Sequence, residues 1–329
     1  MTPAGQMNRV VAGLPGTQDN RIDSAEALAA FAQAEVEYGR LTLTPGLRFE
    51  SITLRQENFG RNDTERTGAE LAVRENTVDV LIPGIAARYA FTESLDVFGG
   101  VHRGFAPPTS QEGVRSEESV NYELGVRYET PALAGQLVAY FNDYDNLLGS
   151  DLAAGGGTGS TDQFNAGEVH VYGLEASASA DLAAALRLGG LRLPARLAYT
   201  FTDATFRSEF ASSFSPWGNV EVGDEVPYVA RHQAAASIGV EWARYGADLR
   251  AAYIGDRRDR AGSGAIPEAQ KLPGHLVVDF SGNVVVDGRT SVFGSVRNVF
   301  DEVYVAAQRP AGFRPGLPRT FLLGVRTSF

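Results

Sequence analysis

Apolar and polar residues alternate with a period of two along most of the chain. Between Val120 and Tyr128, every second residue is valine, tyrosine or leucine, and Asn121, Glu123 and Arg127 lie among the residues between them. Such alternation places successive side chains on opposite faces of a β-strand. The chain is therefore predicted to consist of strands that each have one apolar and one polar face.

The pattern divides the chain into about thirteen predicted strands, and many of them have 12 residues or more. A strand that crosses a bilayer at a tilt of about 45° needs about 9–11 residues, whereas the strands of soluble proteins most often have about five or six. The strand lengths therefore favour a wall between lipid and water. Only residues 24–34 show a helical spacing, and they lead into a strand-like run. The predicted strands lie near residues 25–38, 41–56, 75–91, 94–106, 117–130, 133–148, 164–184, 193–206, 228–243, 247–257, 272–286, 290–305 and 318–329.

Short turns and long polar loops alternate without exception between these strands. The short turns lie near residues 39–40, 92–94, 130–132, 188–192, 245–246 and 287–288. The long loops occupy about 57–74, 107–116, 149–163, 207–227, 258–271 and 306–317. This asymmetry is typical of outer-membrane barrels, which have short periplasmic turns and long extracellular loops.

Aromatic residues are concentrated beside the short turns, as in the interfacial girdle of a membrane barrel. They are Tyr38, Tyr89, Phe91, Tyr128, Trp242 and Phe329. In the last predicted strand, Phe321, Leu323, Val325 and Phe329 share one face. A final strand that ends in phenylalanine resembles the sorting signal that the barrel assembly machinery reads.

Composition excludes several classes of protein. The 329 residues include no cysteine, which removes disulfide scaffolds, thiolate metal sites and cysteine nucleophiles. A formal net charge of −11 argues against nucleic-acid binding. No stretch approaches the roughly 18 apolar residues of a transmembrane helix, and residues 1–20 lack the apolar core of a signal peptide. Taken alone these features suggest a soluble protein, which the strand pattern contradicts.

Six segments, in order, resemble the C-terminal half of TonB-dependent outer-membrane receptors. They are RGFAPPT (103–109), the run from Asn121 to Leu148, VYGLEAS (171–177), VPYVARHQAAASIG (226–239), VRNVFDEVY (296–304) and the terminal PRTFLLGVRTSF. The run from Asn121 to Leu148 is most similar to the receptors for ferric citrate and related iron chelates. The resemblance implies an all-β fold, namely an antiparallel transmembrane barrel in the Gram-negative outer membrane.

The resemblance also implies what surrounds the chain. A family member has 22 strands, a plug domain and a segment that engages TonB, whereas about thirteen strands and no plug are expected here. Residues 1–24 are interpreted as the remnant of an extracellular loop, and residues 25–329 as the C-terminal part of the barrel. The implied partners are a ferric chelate, the TonB complex acting through the missing plug, outer-membrane lipid, lipopolysaccharide and the barrel assembly machinery.

Positively charged loop residues are the candidate ligand contacts, because ferric citrate and most iron–siderophore complexes are anionic and arginine binds carboxylates in bidentate fashion. Trp217 is added as an expected exposed aromatic, with Phe214 nearby. The candidates are Arg61, Arg66, Arg115, Arg207, Trp217, Arg257, Arg258, Arg309 and Arg314.

No catalytic motif is apparent, so the chain is not expected to be an enzyme or to hold a cofactor or metal. His102, His170, His232 and His275 lie on separate predicted strands without metal-ligand spacing. A passive porin-like channel stays open as an alternative function, although an odd number of strands with unclosed edges disfavours it. A soluble β-rich adhesin or lectin is a weaker alternative, since it would need both faces buried in a sandwich.

Overall fold

A single antiparallel sheet dominates the computed structural model, which describes residues 20–111, 113–150, 163–308 and 312–328. Its elements, in chain order, are β1 (Arg21–Gln33), β2 (Val36–Tyr38), β3 (Leu41–Asn58), β4 (Ala72–Ala90), β5 (Leu95–Ala106), β6 (Glu117–Glu129), β7 (Leu133–Asn146), β8 (Leu148–Ser150), β9 (Gln163–Asn165), β10 (Val169–Asp181), α1 (Leu182–Ala185), β11 (Leu191–Arg192), β12 (Pro194–Phe206), β13 (Phe210–Ala211), β14 (Asn219–Val220), β15 (His232–Trp242), β16 (Tyr245–Ile254), β17 (Arg257–Arg258), the 3₁₀-helix Glu268–Gln270, β18 (Lys271–Leu272), β19 (His275–Val285), β20 (Thr290–Arg297), β21 (Val305–Ala307), β22 (Arg314–Pro315) and β23 (Thr320–Thr327).

The long strands pair with their neighbours in the order β1-β3-β4-β5-β6-β7-β10-β12-β15-β16-β19-β20-β23, which confirms the thirteen predicted wall strands. Two short strands extend the sheet: β2 pairs with β3, and β11 pairs with β15. The other short strands form four two-stranded hairpins outside it. β1 and β23 are the two edges of this sheet.

The helical spacing at residues 24–34 does not produce a helix. Residues 24–33 belong to β1, where Arg21 through Gln33 pair in continuous register with β3. Small alanine side chains fit either conformation, so the long partner strand decides the outcome. The strand begins at Arg21, before the predicted position 25, and residues 1–19 of the expected loop remnant lie outside the described residues.

One face of the sheet is apolar, as the alternation predicts. The register aligns Val126 with Val97 and Leu137, and Ile238 with Leu249. No second layer covers these side chains in the described chain, where Ile238 is 48% exposed. Contiguous apolar patches of this extent mark a membrane or protein contact.

The opposite face carries polar and charged side chains that contact one another across strands. Arg88 Nε lies 3.0 Å from Asp96 Oδ2, and the Tyr140 hydroxyl lies 2.8 Å from Thr202 Oγ1. The Arg127 guanidinium stacks on the Phe98 ring at 5.0 Å from its centroid. Such pairing keeps a continuous polar surface on one side of a thin wall.

A glycine opposite each large ring lets this polar face hold aromatic side chains. A Cβ on Gly125 would lie 2.5 Å from Phe98 Cζ, and one on Gly324 would lie 2.4 Å from Phe293 Cζ. Each ring therefore lies flat over the backbone of the next strand. The glycines of this face thus have a packing role, which explains why they interrupt otherwise side-chain-rich strands.

The strand order places all short turns at one end of the sheet and all long loops at the other. Because consecutive wall strands are antiparallel neighbours, the turns at 39–40, 130–132 and 286–289 share one end. The predicted turn at 245–246 belongs to β16, and the reversal occurs at Ala243, whose φ is +51°. The alternation of turns and loops is confirmed. The two helices among the described residues are single turns of four and three residues, too short to cross a membrane.

We expect Ile238→Lys to lower the free energy of unfolding by roughly 2–4 kcal/mol, because Ile238 lies near the middle of β15 on the apolar face. Glu123→Lys, on the polar face near the middle of β6, should cost much less. Chemical unfolding of lipid-reconstituted protein measures both values. An equal cost at the two positions would show that the faces are assigned wrongly.

Candidate ligand-binding site at the long-loop end

Six long connections form the loop end of the molecule, and they carry all the predicted ligand contacts. They span residues 59–71, 107–116, 147–168, 207–231, 255–274 and 298–319, of which residues 112, 151–162 and 309–311 lie outside the described part. Most of the predicted loop 149–163 and the candidate Arg309 therefore lie outside the described residues. The remaining candidates divide into buried and exposed groups.

Trp217 is buried, so the expectation of an exposed aromatic was wrong. It is 5% exposed and belongs to a hydrophobic core formed by the loops together with Phe206 and Val220. Its ring meets Phe214 edge-on at a centroid distance of 5.0 Å. The hairpin β13–β14 folds residues 207–231 back on themselves, which turns the tryptophan inward. Trp217 therefore stabilises the loops and offers no surface to a ligand.

Arg258 is also buried, and its charge is compensated within the loops. It is 2% exposed, and its Nε donates to Glu225 Oε2 at 2.6 Å. Arg231 joins the same carboxylate at 2.8 Å and reaches Asp203 at 3.1 Å. Removing one partner of such a buried network leaves an uncompensated charge, which is strongly destabilising. This arrangement gives Arg258 a fastening role between two loops.

Arg257 is buried as well, at 8% exposure, and donates from Nη2 to the Ala306 carbonyl at 3.1 Å. Burial lowers the pKa of its guanidinium from the usual value. The contact ties loop 255–274 to loop 298–319. Like Arg258, this residue holds two loops together. The position of an arginine in a loop sequence does not show whether it links loops or binds a ligand.

The exposed candidates are Arg61, Arg66, Arg115 and Arg207, while Arg314 is half-buried. Arg66 donates to Asn20 Oδ1 at 3.0 Å and stacks on Phe59, and Arg115 lies 3.9 Å from Asp145. The side chains of Arg61 and Arg207 contact no carboxylate among the described residues. Positive charge is thus presented on several loops, and the structure does not bring these arginines together into one site.

Loop 59–71 is held in shape by its own polar groups. Asp63 accepts hydrogen bonds from the backbone N–H groups of Thr67 and Gly68, both at 2.8 Å. The Thr67 bond is the main reason that the pKa of Asp63 lies below its usual value. The buried Asn20 donates to the Asp63 carbonyl at 2.7 Å. The loop therefore presents Arg61 from an ordered frame.

No group of three or more His, Asp or Glu side chains that could hold a metal ion forms among the residues that the structure describes. His170 lies 3.3 Å from Asp143, and Tyr199 lies 2.9 Å from the Nδ1 of His232. Both pairs link adjacent strands of the wall. They are cross-strand contacts of a kind that sheets commonly use.

The last strand presents the predicted sorting residues on one face. Phe321, Leu323 and Val325 are 72%, 81% and 66% exposed, and they align with Val296, Gly294 and Val292 of β20. Phe329 lies outside the described residues. A role of these residues in assembly stays a prediction.

Comparison with known proteins identifies the family. The family model described as "TonB dependent receptor-like, beta-barrel" matches residues 3–299. The chain belongs to this family. Its relatives include the pesticin receptor of Yersinia enterocolitica, 24% identical over 250 residues that cover 71% of this chain and 33% of the receptor. The ferric enterobactin receptor of Pseudomonas aeruginosa is 22% identical over 332 residues, covering 89% and 40% respectively.

A solved structure shows the same fold. The ferric citrate transporter FecA in its unliganded form superimposes with a TM-score of 0.69 at 20% identity, over 93% of this chain and 45% of that one. This chain therefore spans one third to less than half the length of the proteins that it matches. As a TonB-dependent receptor barrel it is an outer-membrane protein, and barrels of this kind generally have long extracellular loops and short periplasmic turns.

Sequence reasoning missed two arginines of this receptor barrel, Arg21 and Arg74. Both lie on the polar face where strands meet the loop end, and both line a pocket covered by residues 108–111. Arg21 falls in the interpreted loop remnant 1–24 and Arg74 at the end of the predicted loop 57–74, but neither was selected as a candidate. Only strand pairing brings them together, because it aligns Arg74 with Gln56 and Arg21 with Asn58.

Lys271, the only lysine of this receptor barrel, reports on its topology. It lies in loop 255–274, and its Nζ is 2.7 Å from Asp256 Oδ2. We expect a membrane-impermeant amine reagent to label Lys271 on intact cells that carry the chain in the outer membrane. A lysine placed in a periplasmic turn by Arg289→Lys should be labelled only after lysis. Peptide mass spectrometry reads both sites, and the reverse pattern would invert the assigned orientation.

The labelling rate should depend on Asp256. Its hydrogen bond is the main cause that raises the pKa of Lys271, and a raised pKa leaves less neutral amine at a given pH. Asp256→Asn should therefore accelerate labelling and shift the pH–rate profile to lower pH. Asp287→Asn, in a distant turn, should leave the profile unchanged. An unchanged profile in Asp256→Asn would exclude the ion pair.

Proposed function

We propose that this chain forms the wall and outer loops of a TonB-dependent transporter for a ferric chelate such as ferric citrate or a siderophore. The observation that carries the proposal is a thirteen-stranded wall with one apolar face, one polar face and all long loops at one end. The family match over residues 3–299 supports it. Family membership points to a receptor or transporter rather than an enzyme.

Two exposed arginines at the loop end support an anionic ligand. Arg61 and Arg207 are exposed and have no carboxylate partner among the described residues, so their guanidinium groups are available. Guanidinium groups bind carboxylates and similar planar anions through paired hydrogen bonds. The name of one relative, the ferric enterobactin receptor, supports a ligand of the iron-chelate type.

Energy coupling would require the plug domain and the TonB-engaging segment that the family resemblance implies in addition to this wall. In the intact receptor, a chelate would bind between the loops and a plug, and TonB acting on the plug would open the path. The polar face of the sheet would then line that path. Residues 1–24 would belong to an extracellular loop and residues 25–329 to the barrel, with lipid and lipopolysaccharide around it and the assembly machinery reading its last strand.

A passive porin-like channel is the alternative of a different class. A channel must satisfy every backbone hydrogen-bonding group within the hydrocarbon, which requires a closed barrel. The described sheet ends at β1 and β23, which do not pair with each other. By itself this described sheet forms no closed pore, so a passive channel would also need further strands.

A domain replacement tests the proposal. The part of the ferric enterobactin receptor that aligns with this chain is replaced by this chain, so that the donor supplies the plug and the remaining strands. We expect TonB-dependent accumulation of radiolabelled iron from ferric citrate, or from a hydroxamate or catecholate siderophore, in cells that lack other receptors. The chain expressed alone should give no uptake, because its two edges expose unpaired backbone groups in lipid.

The same cells without TonB are the control. Uptake that persists there would support the passive channel and contradict the proposal. Growth on a ferric chelate with the chain alone would contradict it as well. A correctly assembled fusion that transports none of the three chelates would exclude ferric-chelate transport.

A further inference from the structure

A small pocket opens on the polar face at the loop end, away from the buried arginines of the loops. Its volume is about 290 Å³, and it lies between the upper ends of β1, β3 and β4 and the crossing segment 108–111. Side chains from the three strands form its floor. Its polar lining consists mainly of Arg21, Asp23, Gln56, Arg74, Ser110 and Gln111.

The crossing segment is fixed in place by hydrogen bonds from two sides. Asn76 Nδ2 donates to the Thr109 carbonyl at 3.2 Å, which ties the segment to β4. Gln163 accepts from the Thr109 N–H at 2.6 Å, and its own N–H donates to Gln111 Oε1 at 3.2 Å. The pocket is therefore formed before any ligand enters, which reduces the entropy cost of binding.

The charges around the pocket are unevenly paired. Arg21 Nε lies 2.9 Å from Asp23 Oδ2, and Gln56 donates to the same carboxylate at 2.8 Å. Arg74 makes no ion pair or hydrogen bond with its side chain among the described residues. The pocket thus contains one guanidinium whose charge the described chain leaves unpaired.

Ser110 is the second polar group of the pocket that can face a ligand. It is 6% exposed and belongs to the pocket lining. Its hydroxyl can donate one hydrogen bond to an anion. Gln111 uses its Oε1 to accept from Gln163, which leaves its amide Nε2 as a further donor at the same wall.

We propose that this pocket binds a carboxylate of the transported chelate, with Arg74 supplying the bidentate contact and Ser110 and Gln111 the flanking donors. This inference rests on the proposed function and names the chemistry of one arm of its ligand. The pocket lies at the lower end of the range of about 300–1,000 Å³ that whole small-molecule ligands occupy. It therefore accepts one arm, while the remainder of the chelate extends into the lumen.

The test measures binding without transport, in the fusion described above and in cells without TonB. The probe is radiolabelled ferric citrate, with iron-free citrate and its trimethyl ester as competitors. We expect Arg74→Gln to weaken binding at least tenfold, Arg74→Lys to weaken it less, and Ser110→Ala to weaken it about threefold. Arg260→Gln removes the same charge from an exposed position in loop 255–274, outside the pocket, and should change binding less than twofold. Citrate should compete and the ester should not.

Several outcomes would overturn the assignment. Equal losses in Arg74→Gln and Arg260→Gln would show general attraction by positive charge. Competition by the uncharged ester, or full affinity in both Arg74→Gln and Ser110→Ala, would exclude a carboxylate site. If Arg74→Gln fails to assemble, Ser110→Ala and Arg74→Lys decide the question. Wild-type uptake with unaffected binding in the variants would leave the proposed function standing and remove only the pocket.

Discussion

The need to pair every backbone N–H and C=O group away from water governs the whole molecule. In hydrocarbon only strands with partners on both sides, or helices, meet that need. The long strands, the uninterrupted registers such as that of β1 with β3, and the strict neighbour order of the sheet all follow from it. Because successive side chains of a strand point to opposite faces, the alternation of apolar and polar residues then gives the wall one apolar and one polar face.

Much of the fold could be predicted because strands with one apolar and one polar face produce an alternation of apolar and polar residues that is visible in the sequence. The strand count, the loop asymmetry and the polarity of Glu123 and Arg127 follow from local alternation alone. The helical spacing near residue 24 was misleading because alanine fits both structures, and only the partner strand β3 settles its conformation. The turn near 245 shifted by about two residues because the positive φ of Ala243 has no clear sequence mark.

The candidate site was much less predictable. A loop arginine that binds a ligand and one that fastens two loops have the same local sequence character. Arg258 is compensated by Glu225, which is 33 residues away in sequence, and Arg257 contacts a carbonyl 49 residues away. Trp217 was judged exposed for the same reason, since its partners come from several distant segments. Long-range partners decide these roles, and no single segment contains that information.

The aromatic core around Trp217 has a consequence for how such a receptor can diversify. Trp217, Phe206 and Val220 form a buried core that stabilises the loops around it, so the folded shape of these loops does not depend on the residues at their tips. Substitutions at the tips can therefore accumulate without loss of this core. Selection would then act on a loop surface that can vary, above an aromatic core that cannot.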